Sequence, residues 1–275
     1  MNKVMAVILN YNSYEDTLKC FGFLKKQQGV DLKVCVVDNG STEDRKEDLE
    51  KLKEQNAYVI FSDENKGFSA GNNIGLRKAA EENCEYALII NPDVEIRDET
   101  YVQKLAELMD EDKSIAVAGT DIVKADGRHQ NPLREPYVIE ELLWPAVFAK
   151  NRFSKRLPYV KNHTKSGCCQ KVTGCCFMVD MNFIKEIGFL DEGVFLYSEE
   201  SILATQAREK GLIEYYCADL LAHHMHKDSE MGHKDNLMQE SVRSRKYFIE
   251  NYGCYGKIGN GLVKRVLKFR LKDKK

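Results

Sequence analysis

Between Val4 and Ile90 short apolar runs alternate with helix-length polar segments, and that alternation limits the available folds more than any other feature of the chain. Val4 to Leu9, Lys33 to Val37, Ala57 to Phe61 and Tyr86 to Ile90 read as strands. Their apolar residues are nearly continuous, as in strands covered on both faces. Tyr14 to Gln28 puts Leu18, Phe21 and Leu24 on one helical face, the charged segment Glu43 to Gln55 predicts a second helix, and Gly67 to Ala80 a loop and a third. Strand and helix alternating at these lengths imply right-handed βαβ crossovers and an α/β fold with a mainly parallel sheet. The first half is therefore a Rossmann-like nucleotide-binding unit.

Further on, Glu99 to Glu111 predicts a helix and Ile115 to Gly119 a strand. Lys124 to Gln170 then loses periodicity, and it holds every proline except Pro92 and the single tryptophan, Trp144. So many aromatics in an irregular stretch indicate a folded, functional insertion. A strand at Lys171 to Val179, a turn at Gly188-Phe189-Leu190-Asp191 and a helix from Glu199 to Lys210 complete the expected core. With 275 residues, one large domain plus a C-terminal extension fits.

Composition narrows the partners. The 41 basic and 43 acidic residues leave a net charge of -2, which carries no overall signature for nucleic acid. The N-terminal apolar run is too short for a signal peptide, and no segment approaches a membrane span, so a soluble cytoplasmic protein is expected. Its nine cysteines are then reduced thiols by default. Cys168-Cys169 and Cys175-Cys176 are adjacent rather than spaced for a structural zinc, and Cys35 reads as a small apolar strand residue.

Asn91-Pro92-Asp93 places a carboxylate just beyond a buried strand, where ligands of parallel sheets gather. Alone, the same residues also suit a turn and a helix cap. Three more segments accompany it: Val7-Ile8-Leu9-Asn10-Tyr11-Asn12, Val37-Asp38-Asn39-Gly40-Ser41 and Asn65-Lys66-Gly67-Phe68-Ser69-Ala70-Gly71-Asn72-Asn73. In this order the four resemble the family 2 glycosyltransferases, and Gly188-Phe189-Leu190-Asp191 with Phe195-Leu196-Tyr197-Ser198-Glu199-Glu200 extends the likeness over residues 3 to 230. The rhamnosyltransferase-like branch is the nearest subgroup. The resemblance implies a GT-A fold over 1–230, with a nucleotide-binding half at 1–123 and an acceptor-side half at 124–230. Residues 231–275 form a basic helical extension.

The resemblance also implies an inverting, metal-dependent hexosyltransferase that uses a UDP- or dTDP-sugar, with dTDP-rhamnose one such donor, on a glycan or lipid-linked acceptor of bacterial surface polysaccharide. It assigns nucleotide binding to Asn10, Tyr11, Asn12, Asp38 and Asn39, where the Asp38 carboxylate can accept a hydrogen bond from a uracil or thymine N3–H. Gly67, Gly71 and Asn72 let backbone approach the donor at a helix start. Asp93 takes the last place of a DxD-like motif that holds Mg2+ or Mn2+, with uncharged Asn91 in the first, and the resemblance offers His224, then His226, as a further ligand. The histidines also admit a zinc reading. Glu199 and Glu200 stand where relatives carry Glu-Asp, which makes Glu200 the catalytic base, while Asp191 positions the loop or touches the donor sugar. The plain alternative is that both glutamates complement a helix N-terminus.

Two other function classes compete. A nucleotidyltransferase would show a glycine-rich basic loop after the first strand, and Asn10-Tyr11-Asn12-Ser13 has none. A non-catalytic nucleotide-sugar or glycan-binding protein is the other reading, prompted by Asn91 and Glu200. At the C-terminus, Ser241 to Tyr252 predicts a helix, and Lys257 to Lys272 alternates cations with apolar residues in helical rhythm. That pattern suits either an anionic membrane surface, on the inner face of the cytoplasmic membrane, or a terminal helix packed on the domain.

Overall fold

The computed structural model describes residues 1–43, 45–152, 157–225 and 234–272. Strands β1 (Lys3–Asn10), β2 (Asp31–Asp38), β3 (Tyr58–Phe61) and β4 (Tyr86–Ile90) form the parallel set in the order β3-β2-β1-β4. Each is covered twice. Val4, Ala6 and Ile8 of β1 enter one core with the helices α1 (Tyr14–Leu24) and, later in the chain, Tyr101–Glu111, while Met5 and Val7 enter a second core across the sheet. Cys35 is fully buried in β2, as a small apolar strand residue should be.

The segment after β2 is a shorter helix than its charge pattern suggests: α2 (Lys46–Glu50) continues as a 3-10 turn, Lys51–Gln55. Only Leu49 and Leu52 anchor it, and Asn56 at φ 63° ends it. Helix α3 (Phe68–Glu81) follows β3 and lies so close to the sheet that a Cβ at Gly75 would collide with Val7. After β4 come β5 (Val94–Glu95) and α4 (Tyr101–Glu111).

The second half extends the sheet with strands of both directions. It contains β6 (Ile115–Lys124), α5 (Val138–Leu142), α6 (Trp144–Arg152), β7 (Gly167–Cys169), β8 (Cys176–Asp180), α7 (Met181–Glu186), α8 (Glu199–Glu209) and β9 (Ile213–His224). The order continues β4-β8-β6-β9-β5, with β8 antiparallel to both neighbours, β6 parallel to β9, and β7 antiparallel on β9. Three readings shift here. The insertion is partly helical, Pro145 falling in the first turn of α6 where its missing N–H is harmless. Strand β8 starts at Cys176 because 171–175 instead forms a connection facing the site. The 12-residue β9 was not assigned from the sequence because Glu214 and Asp219 interrupt its apolar run.

Helices α9 (Lys234–Asn251) and α10 (Gly256–Lys272) close the structure. Val242, Phe248, Ile249, Val263 and Leu267 make a third core with Val194 and Ile202 of the main body, so one face of the C-terminal extension is packed. None of the described helices is long and apolar enough to cross a membrane.

Candidate active site

Parallel pairing places Asn10 opposite Asp38 at the carboxyl ends of β1 and β2. The turn beyond them is knitted by short polar side chains. Ser41 N–H donates to Asp38 Oδ1 at 2.8 Å, Tyr14 hydroxyl to Asp38 Oδ2 at 3.3 Å, and Asn10 Nδ2 to Ser41 Oγ at 3.1 Å. Asn12, at φ 52°, accepts from Thr42 N–H at 2.9 Å. Asp38 is thus buried in its own turn, while Tyr11 stands exposed at the crevice mouth.

The Asn65 to Asn73 segment closes over this crevice. Asn39 Nδ2 donates to Asn65 Oδ1 at 2.9 Å and to the Gly67 carbonyl at 3.2 Å. Gly67 sits at φ 94°, and a Cβ there would strike the Phe195 carbonyl, which accepts from Phe68 N–H at 2.8 Å. Gly71 leaves room for Leu9 and Asn39, so its contribution is packing of α3 on β1. Asn39 Oδ1, Ser69 Oγ and Asn72 Oδ1 are buried without a hydrogen-bond partner among the described residues. With almost no accessible surface, these three oxygens belong to the packed interior behind the crevice rather than to its wall.

Across the crevice, pairing of Val94 with His224 in β5 and β9 sets Asp93 beside the end of β9, and Met225 N–H donates to the Asp93 carbonyl at 2.8 Å. His224 Nε2 lies 3.1 Å from Asp93 Oδ2. Its Nδ1 lies 2.7 Å from Gln130 Oε1, a contact that fixes the plane of the ring beside the carboxylate. Among the described residues no cluster of three His, Cys, Asp or Glu side chains could hold a metal, so a divalent ion at Asp93 and His224 would have to take its remaining ligands from outside the protein. Asn91 lies beside them at the end of β4, and His226 lies outside the described residues.

The carboxylate pair opens α8. Tyr197 and Ser198 precede it at φ 72° and 68°, two successive left-handed residues without glycine, a strain typical of functional turns. Glu200 Oε1 accepts from Gly174 N–H at 3.2 Å, while Glu199 Oε2 is buried with no partner among the described residues. Burial, then the charge on Glu200, pushes the Glu199 carboxyl well above the usual range. Behind the pair, Lys171 Nζ donates to Ser201 Oγ at 2.7 Å and lies 3.0 Å from Glu135, which also pairs with Arg245 at 2.8 Å. Burial would raise Glu135, but these two cations prevail and hold it at about 2.

One connection joins the two sides. Cys175 carbonyl accepts from Asn91 N–H at 2.8 Å, and the adjacent Gly174 N–H holds Glu200. Asp191 accepts from Gly193 N–H at 2.7 Å and from the Tyr247 and Tyr252 hydroxyls of the C-terminal region. Gln130, Lys171, Gly174 and Arg245 were not picked out from the sequence; of these only Gly174, a glycine just before an apolar run, carries a local signal of close backbone approach.

Comparison with known proteins identifies the family and the fold. The model of Glycosyl transferase family 2 matches residues 5–188. The low-salt glycan biosynthesis hexosyltransferase Agl10 of Haloferax volcanii is 26% identical over 77% of this chain and 64% of its own length. The dTDP-rhamnosyl transferase RfbF of Shigella flexneri is 22% identical over 80% of this chain and 68% of its own. Among solved structures, GalNAc-T7 with UDP, GalNAc and Mn2+ superimposes with a TM-score of 0.65 at 14% identity, covering 98% of this chain and 54% of that one. The mannosyltransferase PcManGT of Pyrobaculum calidifontis with GDP-Man and Mn2+ gives 0.64 at 15%, covering 98% and 69%. The chain thus spans under two thirds of the Haloferax relative and about half of GalNAc-T7.

Proposed function

Because the chain belongs to the family 2 glycosyltransferases and has the GT-A fold, we propose that it is an inverting, metal-dependent hexosyltransferase. Its donor is a UDP- or dTDP-sugar, dTDP-rhamnose being the choice suggested by the Shigella relative's name. The acceptor is a glycan or lipid-linked glycan in bacterial surface polysaccharide synthesis, with the enzyme in the cytoplasm. The observation that carries this reading is the 174–175 connection, which links the Asn91 to Asp93 turn to Glu200 through two adjacent backbone groups.

The donor base takes the crevice between Tyr11-Asn12 and Asp38-Ser41, where the buried Asp38 holds the turn against the ring. Asp93 and His224, with Asn91 alongside, would hold a divalent cation, Mg2+ or Mn2+, which would supply counter-charge to the leaving diphosphate; Mn2+ in two superimposed structures supports it. Glu200, oriented by Gly174 N–H, takes the proton of the acceptor hydroxyl as that oxygen attacks the anomeric carbon opposite the leaving group. Burial, then the charge on Glu200, raises the Glu199 carboxyl, which makes Glu200, the one that Gly174 N–H orients, the base of the pair. Asp191 fixes the preceding loop through Tyr247 and Tyr252.

Donor hydrolysis over a nucleotide-sugar panel with Mn2+ or Mg2+ tests the reading. Wild type is expected to release nucleoside diphosphate from at least one donor, with Asp93→Ala inactive. An inert wild type that still binds a donor would instead establish a binding protein.

A further inference from the structure

Tyr137, Ile139 and Leu143 around α5, and Ile258, Leu262 and Phe269 on α10, make up half of the large apolar side chains exposed among the described residues. The two helices are packed together: Gly259 lies against Val138, and Tyr255 hydroxyl donates to the Pro136 carbonyl at 2.7 Å. At 3.6 residues per turn, Ile258, Leu262 and Phe269 fall within about 40° of one another, on the side opposite the buried Val263 and Leu267. Isolated surface hydrophobics need no explanation, but a stripe of three continued onto a neighbouring helix does.

Charge identifies what the stripe meets. Helix α10 carries Lys257, Lys264, Arg265, Lys268, Arg270 and Lys272 and no acidic residue, although the whole chain is slightly acidic. In the helical projection Arg265, Lys268 and Lys257 flank the apolar stripe on the side away from α5. Arg270 is turned the other way, stacked over Trp144 at 4.4 Å. An apolar stripe edged by cations on α10, with Glu140 and Glu141 of α5 already paired to Arg134 and Arg245, matches the interface of an anionic bilayer, where acyl chains receive the apolar groups and headgroup phosphates the cations.

We propose that the α5–α10 face docks the protein peripherally on an anionic phospholipid surface. The face is tied to the catalytic helix: Arg245 donates to Glu141 of α5 at 2.7 Å and to Glu135 at 2.8 Å, and Glu135 accepts from Ser201, next to Glu200. Docking therefore sets the height of the carboxylate pair above the bilayer, which rests on the proposed transferase reading only for its use, namely presentation of a lipid-linked acceptor.

Co-sedimentation with phosphatidylglycerol/phosphatidylcholine vesicles, beside pure phosphatidylcholine, tests the docking without any donor. Wild type should bind the anionic vesicles and release in about 1 M salt, where the screening length falls to ~3 Å. Leu262→Asp/Phe269→Asp should reduce binding by about tenfold or more. Ile139→Asp/Leu143→Asp on α5 should do so too, with both variants keeping the wild-type melting temperature and donor hydrolysis. Absence of wild-type binding would overturn the proposal. So would a concentration-dependent dimer that Phe269→Asp dissolves, since a second copy would then cover the stripe. Vesicle binding by a hydrolytically inert wild type would uphold docking while rejecting the transferase reading.

Discussion

In the first half of the sheet the buried polar side chains around the site are amides and hydroxyls, Asn10, Asn39, Ser69, Asn72 and Asn73, grouped about the carboxylate Asp38; in the second half the buried Asn131 and Ser201 are joined by a cluster of ions. Glu135, Glu141, Lys171, Arg245 and Glu214 sit behind the Glu199-Glu200 pair with few water-facing surfaces. On the proposed reading the first half holds the donor by hydrogen-bond geometry, which pH leaves alone, while the ions of the second half set the charge of the carboxylates beside them, so its behaviour should follow pH.

The largest effect is expected where the halves meet. Asp93→Ala removes the carboxylate opposite His224, and turnover with Mn2+ should fall by ~10³-fold, several kcal/mol of lost charge stabilisation. Equal turnover in Mn2+ would detach the Asn91 to Asp93 turn from the chemistry. Next, Arg245→Ala leaves Glu135 and Glu141 buried without their shared cation. Urea unfolding should then show a loss of about 3–5 kcal/mol, as for a broken buried pair. A loss near zero would mean that the second half does not depend on its ion cluster.

Glu214 gives a pH signature. It is buried on β9, where burial pushes its carboxyl up from 4.5 to about 8, although it accepts from Val172 N–H at 2.8 Å. Between those values the folded protein keeps a proton that the unfolded chain has released, so stability falls as pH rises through the interval and levels off above about 8. Glu214→Gln keeps the acceptor and cannot ionise. Its melting temperature should exceed that of wild type increasingly from pH 5 to pH 8; a constant difference would show that Glu214 titrates normally. The smallest effect lies on the donor side. Asn39→Ala breaks the bonds to Asn65 and Gly67 and should cost about 1–2 kcal/mol at any pH in that range. A pH-dependent loss there would erase the contrast between the halves.

The same contrast governs what the sequence disclosed. Strands β1, β2 and β4 were legible because burial on both faces forces continuous apolar runs, and the turns after them because glycine and asparagine mark left-handed or close-packed backbone. Pairing of Asn10 with Asp38 follows from strand order alone. In the second half Gln130, Glu135, Lys171 and Arg245 come from an irregular insertion, the connection before β8 and the last helices, and only tertiary contact brings them together. No local period marks such residues. The boundary of β8 was missed for a related reason: the apolar run suggested a strand from Lys171, but residues 174 and 175 spend their backbone groups on Glu200 and Asn91. Membership of the family was readable from six motifs in order, whereas the division of labour within the carboxylate pair depends on burial.

That division is the central claim, and turnover of Glu199→Gln beside Glu200→Gln tests it most directly. Glutamine mimics a neutral carboxyl, so Glu199→Gln should keep most of the transfer rate, while Glu200→Gln should lose ~10²–10⁴-fold with donor affinity retained. The reverse order, with Glu199→Gln inactive and Glu200→Gln active, would contradict the account.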